Sequence, residues 1–260
     1  MWDLIQNCIY AGLLLSIAIG IIGSLIVINK ATSITGSIAH GSFGGIGIGI
    51  YIGANILAVT AVWTVVLALI LSVVAIYNKH RLDSLIGVIW AVGMSVGIIF
   101  LNLTPGYNAD ALSYLFGNIL LIQKSDLIAM AILDSILLIS IILFYNRFLA
   151  MSYDMEFLKL RNINADLLYT YFLILTSLTI VISVRSIGII LILALFTIPP
   201  LIAEKQTKKF YQMIILSVFL SAIFIISGIL ISYFYDLSPT PIIVIIAAIG
   251  LFLSIIKKSK

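Results

Sequence analysis

Long apolar runs, separated by short polar stretches, dominate the pattern of this chain. A helix that crosses a bilayer needs about 20 consecutive, mostly apolar residues. Nine runs meet that requirement, so the pattern predicts an all-α polytopic membrane protein with about nine transmembrane helices. The predicted crossings are Ile9–Ile28, Ser37–Ala54, Ile56–Tyr77, Ser84–Leu103, Leu127–Asn146, Leu167–Val184, Ser186–Ala203, Phe210–Tyr235 and Pro239–Ile256.

The second predicted crossing depends on where one long run is divided. The stretch from Ser37 to Tyr77 is too long for a single crossing, because an α-helix rises about 1.5 Å per residue. We place a break near Asn55. If two of the runs merge instead, the count falls to eight.

Composition supports a lipid environment for the whole chain. Of its 260 residues, 63% are apolar and 9% are charged, whereas soluble domains are about half apolar and about a quarter charged. Too little polar surface is available to cover this much hydrocarbon in water. The single cysteine, Cys8, excludes an internal disulfide framework. We expect one transmembrane domain over residues 1–260, in which the first apolar run is retained as a helix.

The basic residues predict the orientation. If the N-terminus faces outward and the chain crosses nine times, every Lys and Arg except Lys124 and Arg185 falls in an inner loop or in the C-terminal tail. Cytoplasmic loops of membrane proteins carry such an excess of basic residues. We therefore predict an outer N-terminus and a cytoplasmic C-terminus. The net charge of +4 has the same explanation and is not a nucleic-acid signal.

Glycines recur every four residues along the second predicted crossing, at Gly41, Gly45, Gly49 and Gly53. A stripe without side chains allows a second helix to approach closely in a bilayer. Tight packing and a lined passage are both compatible with it. His40 lies beside the stripe, and an ionisable residue at membrane depth marks a candidate functional site. It is either a metal ligand or a hydrogen-bonded structural residue.

Two further features lie within predicted crossings. Asp134 needs a partner, water or a proton inside the membrane, so it serves either a cation path or a hydrogen bond between helices. Pro199 and Pro200 are expected to end the seventh crossing, because proline removes a backbone donor.

Two connections are longer than turns. The outer one, Thr104–Asp126, contains Tyr114-Leu115-Phe116-Gly117 and is compatible with a short interfacial helix. The inner one, Ala150–Asp166, mixes charged and apolar residues at helical spacing, which predicts a short amphipathic helix at the cytoplasmic surface. A solvated loop is the alternative.

The chain contains no motif for nucleotide binding or for metalloprotease activity. It contains no Gly-x-x-x-x-Gly-Lys-Ser/Thr phosphate loop and no His-Glu-x-x-His pattern. The predicted crossings hold too few acidic residues for an evident proton relay. If the protein pumps, its energy therefore comes from a partner.

Five blocks, in order and spacing, resemble the membrane permeases of bacterial zinc/manganese/iron ABC importers, the ABC-3 permease family. Ser37-Ile38-Ala39-His40-Gly41-Ser42 is similar to the family's Asp-Thr-Leu-Ala-His-Ala/Ser block, with His40 on its histidine. The others are Leu82-Asp83-Ser84-Leu85-Ile86-Gly87, Tyr114-Leu115-Phe116-Gly117-Asn118, Gly188 through Pro199 with Ala203, and Tyr235-Asp236.

The resemblance implies a permease that moves a divalent metal as its substrate and binds no resident cofactor. It implies a homodimer, or a dimer with a close paralogue, and an extracytoplasmic metal-binding protein. A cytoplasmic ATP-binding subunit would hydrolyse ATP, so this chain would not be an enzyme. The inner connection corresponds to the family's coupling helix, where we expect Glu156, Leu158 and Asn162 to receive the ATPase. The expected path contains His40 as a transient ligand, with Gly36, Gly41, Gly44, Gly45, Asp134 and Asn118 lining it.

Three family ligands are absent. The aspartate four residues before the histidine is Gly36 here, the aspartate after Phe-Gly is Asn118, and a histidine of the fourth helix is Ala91. Zinc and similar metals favour nitrogen and carboxylate ligands, so His40 alone would bind weakly, which suits conduction.

The sequence is also compatible with other functions. A permease for a metal chelate, such as a siderophore or haem, would need few protein ligands. An ATP-independent secondary transporter or channel would work through Asp134. A membrane-embedded enzyme would need a catalytic constellation, which the sequence does not contain.

Overall fold

The computed structural model describes residues 2–77, 81–105, 117 and 122–258, and these residues form helices without a strand. The all-α prediction is confirmed. The helices are α1 (Trp2–Ala18), which continues through a π-helical turn (Ile19–Gly23) into α2 (Ser24–Ile28), then α3 (Thr32–Tyr51), α4 (Ile56–Tyr77), α5 (Leu82–Asn102), α6 (Lys124–Tyr153), α7 (Met155–Leu160), α8 (Ala165–Gln206), α9 (Phe210–Tyr235) and α10 (Pro239–Lys258).

Seven helical stretches in the described part of the chain are long and apolar enough to cross a membrane. They are Gln6–Ile28, Ile56–Tyr77, Leu82–Asn102, Lys124–Tyr153, Ala165–Ile189, Phe210–Tyr235 and Pro239–Ile256. Two predicted crossings, the one in α3 and Ser186–Ala203 in α8, are not among them. The glycines, serines and histidine of α3 lower its hydropathy, but most of its residues are buried. Because protein rather than lipid surrounds α3, it needs no continuous apolar surface.

α8 lies at the centre of the bundle. It contacts α3, α4, α6, α9 and α10, and the side chains of Phe172 and Phe196 are fully buried in the core. A helix that is apolar on all sides is typical of such a buried position.

Several helix ends differ from their predicted positions. α3 begins at Thr32 rather than Ser37, and α6 continues to Tyr153 rather than ending at Asn146. The predicted break near Asn55 is confirmed. There the Asn55 side-chain oxygen accepts a hydrogen bond from the Ala58 amide at 3.2 Å, which satisfies a free donor in the first turn of α4.

The predicted sixth and seventh crossings meet at Gly188, three residues beyond the expected junction. The backbone of Gly188 has φ 74° and ψ 165°, a region that essentially only glycine occupies. Gly117 packs directly on this break, and a side chain on Gly117 would collide with the Gly188 amide nitrogen and the Ile187 carbonyl. The turn between the two parts of α8 therefore requires both glycines.

The expectation that Pro199 and Pro200 end a helix is wrong, because α8 continues to Gln206. Proline at position 200 removes the amide that would bond the Phe196 carbonyl. Gly23 of the π-helical turn packs at this place, so closely that a Cβ atom there would lie 2.9 Å from that carbonyl oxygen. Neighbouring helices can cover freed backbone groups in membrane proteins, so an internal proline is tolerated.

The loops gather at two opposite ends of the bundle. At one end, Lys30, Tyr153, Glu204 and Lys208 border one cavity of about 290 Å³. At the other end, Ala54 and Asn55 border a cavity with Arg185, and Arg185 pairs with Asp126 at 3.0 Å. Three of the described helix connections therefore lie at a basic end, and the connection between α3 and α4 lies at the end that contains Arg185.

Candidate functional site

α3 and α5 pack against each other through glycine backbones. A Cβ atom on Gly93 would lie 2.5 Å from the Gly41 Cα, and one on Gly44 would lie 2.9 Å from the Gly93 carbonyl oxygen. Gly97 lies equally close to the Phe43 backbone. Glycine allows such close helix approach in membranes because no side chain separates the backbones.

The predicted glycine stripe faces a different neighbour, α4. Cβ atoms on Gly41, Gly45 and Gly49 would meet Leu67, Thr60 and Ile56 respectively, at 2.7–3.1 Å. Gly53 does not belong to the stripe, since it lies in the turn after α3 with φ 64°. Three of the four glycines therefore make tight helix contacts, which is the packing interpretation of the stripe.

His40 stacks on Trp90 of α5. The two ring centroids are 4.0 Å apart and the rings are inclined by only 13°. The histidine is half-buried and Trp90 is 40% exposed. No residue in the described part of the chain hydrogen-bonds the imidazole, so its ring nitrogens are not committed to a structural bond there.

An open cavity of about 530 Å³ lies at the start of α3 and α5 and borders Trp90, while His40 is not one of the residues that line it. Its lining residues come from three helices: Thr32, Ser33, Gly36, Asp83, Ile86, Gly87, Trp90 and Leu193. Leu193 is the nearest neighbour of Gly36, since a Cβ atom on this glycine would lie 3.2 Å from the leucine side chain. Gly36 lines this space, and His40 lies four residues later on the same face of α3.

Asp83 and Trp90 are the two site residues that sequence reasoning missed. The sequence pattern indicates Asp83 only as part of a family block, and it does not single out Trp90. Their spacing with Gly87 is i, i+4 and i+7, which places all three on one helix face. That spacing is the signal that would have found them.

Asp134 lies apart from His40. The side chain is 4% exposed, and among the described residues its Oδ2 atom has no hydrogen-bond partner. Its helix, α6, packs on α1 and α8, whereas α3 packs on α4, α5 and α8. The structure does not bring Asp134 and His40 together. Asn118 and His80 lie outside the described residues.

The described residues contain no cluster of three or more His, Cys, Asp or Glu side chains that could hold a metal ion. A stable zinc site has three or four protein ligands, and a single imidazole supplies one of them.

The inner connection contains the short helix α7, as predicted, although its first residues belong to the end of α6. Asp154 starts α7, since its Oδ1 atom accepts hydrogen bonds from the amides of Glu156 (2.9 Å) and Phe157 (3.0 Å). Asn162 ends it with φ 55°, and the Ile163 amide donates to the Leu158 carbonyl at 3.0 Å. This is the hydrogen bond of a Schellman motif.

One face of α7 is anchored and the other is free. Leu158 is 1% exposed and packs into the core, whereas Phe157 and Leu160 are 42% and 85% exposed. Glu156 is exposed as well, and it borders a cavity of about 360 Å³ with Asp166 and Tyr169. α7 therefore presents apolar side chains outward at the basic end of the bundle.

The amino-acid sequence of this chain is similar to those of known membrane proteins. The model of the ABC 3 transport family matches residues 1–258. The chain is 40% identical over 254 residues to an uncharacterized membrane protein of Synechocystis sp., covering 98% of this chain and 90% of that one.

Two further relatives carry functional names. The chain is 27% identical over 260 residues to the high-affinity zinc uptake system membrane protein ZnuB of Haemophilus influenzae, covering all of both chains. It is 28% identical over 254 residues to the manganese transport system membrane protein MntC of Listeria monocytogenes, covering 97% of this chain and 90% of the relative.

The fold resembles that of a solved structure, PsaBC from Streptococcus pneumoniae in complex with Fab. The TM-score is 0.87 at 24% identity, covering 96% of this chain and 90% of the other.

Proposed function

We propose that this chain, which belongs to the ABC 3 transport family, is the membrane-spanning permease subunit of an ATP-driven importer of divalent metal ions. The match over residues 1–258 is the observation that carries this proposal. The names of ZnuB and MntC favour zinc and manganese as cargo, and ferrous iron is the third ion to test. The seven apolar helices make it a multi-pass protein of the bacterial cell membrane.

We further propose nine crossings, with the N-terminus outside and the C-terminus in the cytoplasm. The two groups of loops support this topology. Lys30, Tyr153 and Lys208 share one end, and Asn55 and Arg185 share the other. α3 and the second part of α8 each connect one end to the other, although neither is among the seven long apolar stretches of the described residues.

In the proposed path, His40 is a transient ligand and Gly36 borders the space beside it. Gly41, Gly44 and Gly45 contribute by holding α3 against α4 and α5. Weak binding by one imidazole allows the ion to leave again. Asn118 and Asp134 remain predicted path residues, and the position of Asp134 on α6 makes its contribution separate from that of His40.

The proposed partners meet the chain at its two ends. A cytoplasmic ATP-binding subunit docks on α7, where exposed Phe157, Leu160 and Glu156 would contact it and Leu158 would anchor the helix. Asn162 would shape the end of that surface. Closure of two ATPase subunits would rock two copies of this chain, so that the path opens alternately to each side. An extracytoplasmic protein would deliver the ion.

Uptake by cells that lack this protein tests the proposal. Cells carrying the chain with its ATPase should accumulate one of zinc, manganese or ferrous iron, supplied singly, and His40→Ala should lower that uptake at limiting metal about tenfold, the effect of losing about 1.4 kcal/mol of binding. His80→Ala, at the chain's only other histidine, is the matched control and should leave uptake unchanged.

A metal content that responds to none of the three free ions would contradict the proposal. Uptake of a siderophore or haem complex in the same cells would then support a chelate permease, for which few protein ligands are needed. The absence of a three-ligand cluster among the described residues favours that second candidate.

A further inference from the structure

We infer that Trp90 is a positioning residue for His40: its indole holds the imidazole in the orientation that receives the cation. This inference rests on the proposed function of His40 in the path. The observation that carries it is the parallel stack of the two rings, with centroids 4.0 Å apart and an inclination of 13°.

The stack leaves the metal-binding atoms of His40 accessible. An imidazole binds a metal through a ring nitrogen, whose lone pair lies in the plane of the ring. Trp90 covers one face of the ring, and a face makes no bond to the metal. The indole therefore restricts rotation of the imidazole without occupying the edge that a cation would approach.

The indole also favours the cation-bound form electronically. The face of tryptophan is electron-rich and attracts positive charge within about 6 Å of the ring centroid. An imidazole that coordinates a divalent metal gains positive character, so a stacked indole stabilises the metal-bound ring relative to the free one.

The backbones on either side of the pair are locked together. One turn before, the Ser37 hydroxyl donates to the Ile86 carbonyl at 3.0 Å. Gly41, directly after His40, and Gly93, one turn after Trp90, bring the helix backbones into contact. α3 and α5 therefore cannot slide past each other at this level without breaking both contacts, and the ring pair is held at a fixed distance.

Trp90 also belongs to the wall of the cavity that contains Gly36 and Asp83. Its side chain is 40% exposed, so a smaller substitute leaves no closed void in the core. Trp90→Leu removes the aromatic face and keeps an apolar side chain, whereas Trp90→Phe keeps an aromatic face. The two variants thus separate ring stacking from simple packing.

The first experiment measures the reactivity of His40 without any transport. The purified permease–ATPase complex is treated with diethyl pyrocarbonate, and modification of His40 is followed by peptide mass spectrometry, with His80 of the same molecule as the internal reference. Trp90→Leu should raise the rate at His40 relative to His80 at least threefold, because the imidazole then rotates freely and its ring nitrogens meet the reagent in more orientations. Trp90→Phe should retain the wild-type ratio.

The second experiment measures uptake of the transported ion by the same variants. Trp90→Leu should raise KM about three- to tenfold, the effect of having to order one more side chain on binding, with the maximal rate retained. Trp90→Phe should have the KM of the wild-type protein. An unchanged His40 to His80 ratio in Trp90→Leu, an unchanged KM, or equal losses in Trp90→Leu and Trp90→Phe would each overturn the inference.

These two experiments distinguish the inference from the function on which it rests. A wild-type complex that transports none of the three free ions overturns the proposed function, whatever the reactivity ratio. A wild-type complex that transports an ion, but whose His40 reacts independently of residue 90, overturns only the role of Trp90.

Discussion

Single glycines decide how close α3 and α5 lie. The structure has no room for a side chain at Gly93, where the Gly41 backbone lies in contact, yet it has open space at Gly87, two turns earlier on the same helix. Sequence reasoning identified a glycine stripe on α3 but not the matching glycines on α5. Which glycine contacts a backbone depends on the neighbouring helix, and that neighbour is not visible in a local pattern.

Gly93→Ala and Gly87→Ala should therefore change stability in opposite directions. Forcing a methyl group into the α3–α5 contact should destabilise the protein by about 1–3 kcal/mol. Gly87→Ala should stabilise it by up to about 1 kcal/mol, because alanine is the better helix former. Thermal unfolding of the purified protein in detergent measures both, and a Gly93→Ala variant as stable as Gly87→Ala would contradict this packing.

His40 and Trp90 differ in the same respect, since only one of them was recognisable from the sequence. Sequence reasoning singled out His40 beside the glycine stripe, but it could not identify Trp90 as the ring on which it stacks. The two residues are 50 positions apart, and only the packing of two parallel helices brings their rings into contact.

At the scale of single elements, α7 shows how a short helix is held. Six residues are too few for a stable helix in isolation. The Asp154 cap, the turn at Asn162 and the buried side chain of Leu158 hold it in place. Asparagine tolerates the left-handed region at a helix end, which allows the φ of 55° at Asn162.

Leu160→Glu should abolish docking of the ATPase without unfolding the permease. Leu160 is 85% exposed, so the substitution changes the outward surface of α7 and leaves the core intact. Leu237→Glu is the matched control, since Leu237 is a 57% exposed leucine that follows α9. Co-purification of the ATPase with each variant is the measurement, and retention by Leu160→Glu would contradict docking through α7.

Other elements show where local rules fail. Pro199 and Pro200 lie inside α8, contrary to the rule that proline ends a helix, because close neighbours such as Gly23 pack where the helical hydrogen bond is lost. Conversely, Arg185 does not mark the turn of α8. The turn lies at Gly188, whose backbone conformation other residues cannot adopt without strain.

At the scale of the whole molecule, the connections at the basic end and those at the end that contains Arg185 define two faces of the bundle. Arg185, one of the two basic residues predicted outside, pairs with Asp126 at 3.0 Å. The arginine is thus partly neutralised within the protein. A paired charge weighs less against the positive-inside rule than a free one.

Cysteine labelling of spheroplasts tests the nine-crossing topology. In a Cys8→Ala background, Ala54→Cys should react with a membrane-impermeant maleimide in intact spheroplasts, and Lys208→Cys should react only after permeabilisation. Both positions are exposed at opposite ends of the bundle. Labelling of both from the same side would refute the proposed orientation.

The sequence by itself determined the class of the protein, most of its helices and the group of basic loops. Hydrophobic length and charge bias act locally along the chain, because each crossing must bury its own backbone hydrogen bonds in lipid. The break at Asn55 and the residues of α7 also follow from local hydrogen bonding. His40 was recognisable because an ionisable side chain at membrane depth is rare.

Only the tertiary structure decided how these parts meet. α3 is less apolar than a lipid-facing helix because α4, α5 and α8 surround it. The stack of His40 on Trp90, the cavity beside Asp83 and the separation of Asp134 from His40 each depend on contacts between helices that are distant in sequence. Such contacts follow from how the helices fill space together, which no single segment encodes.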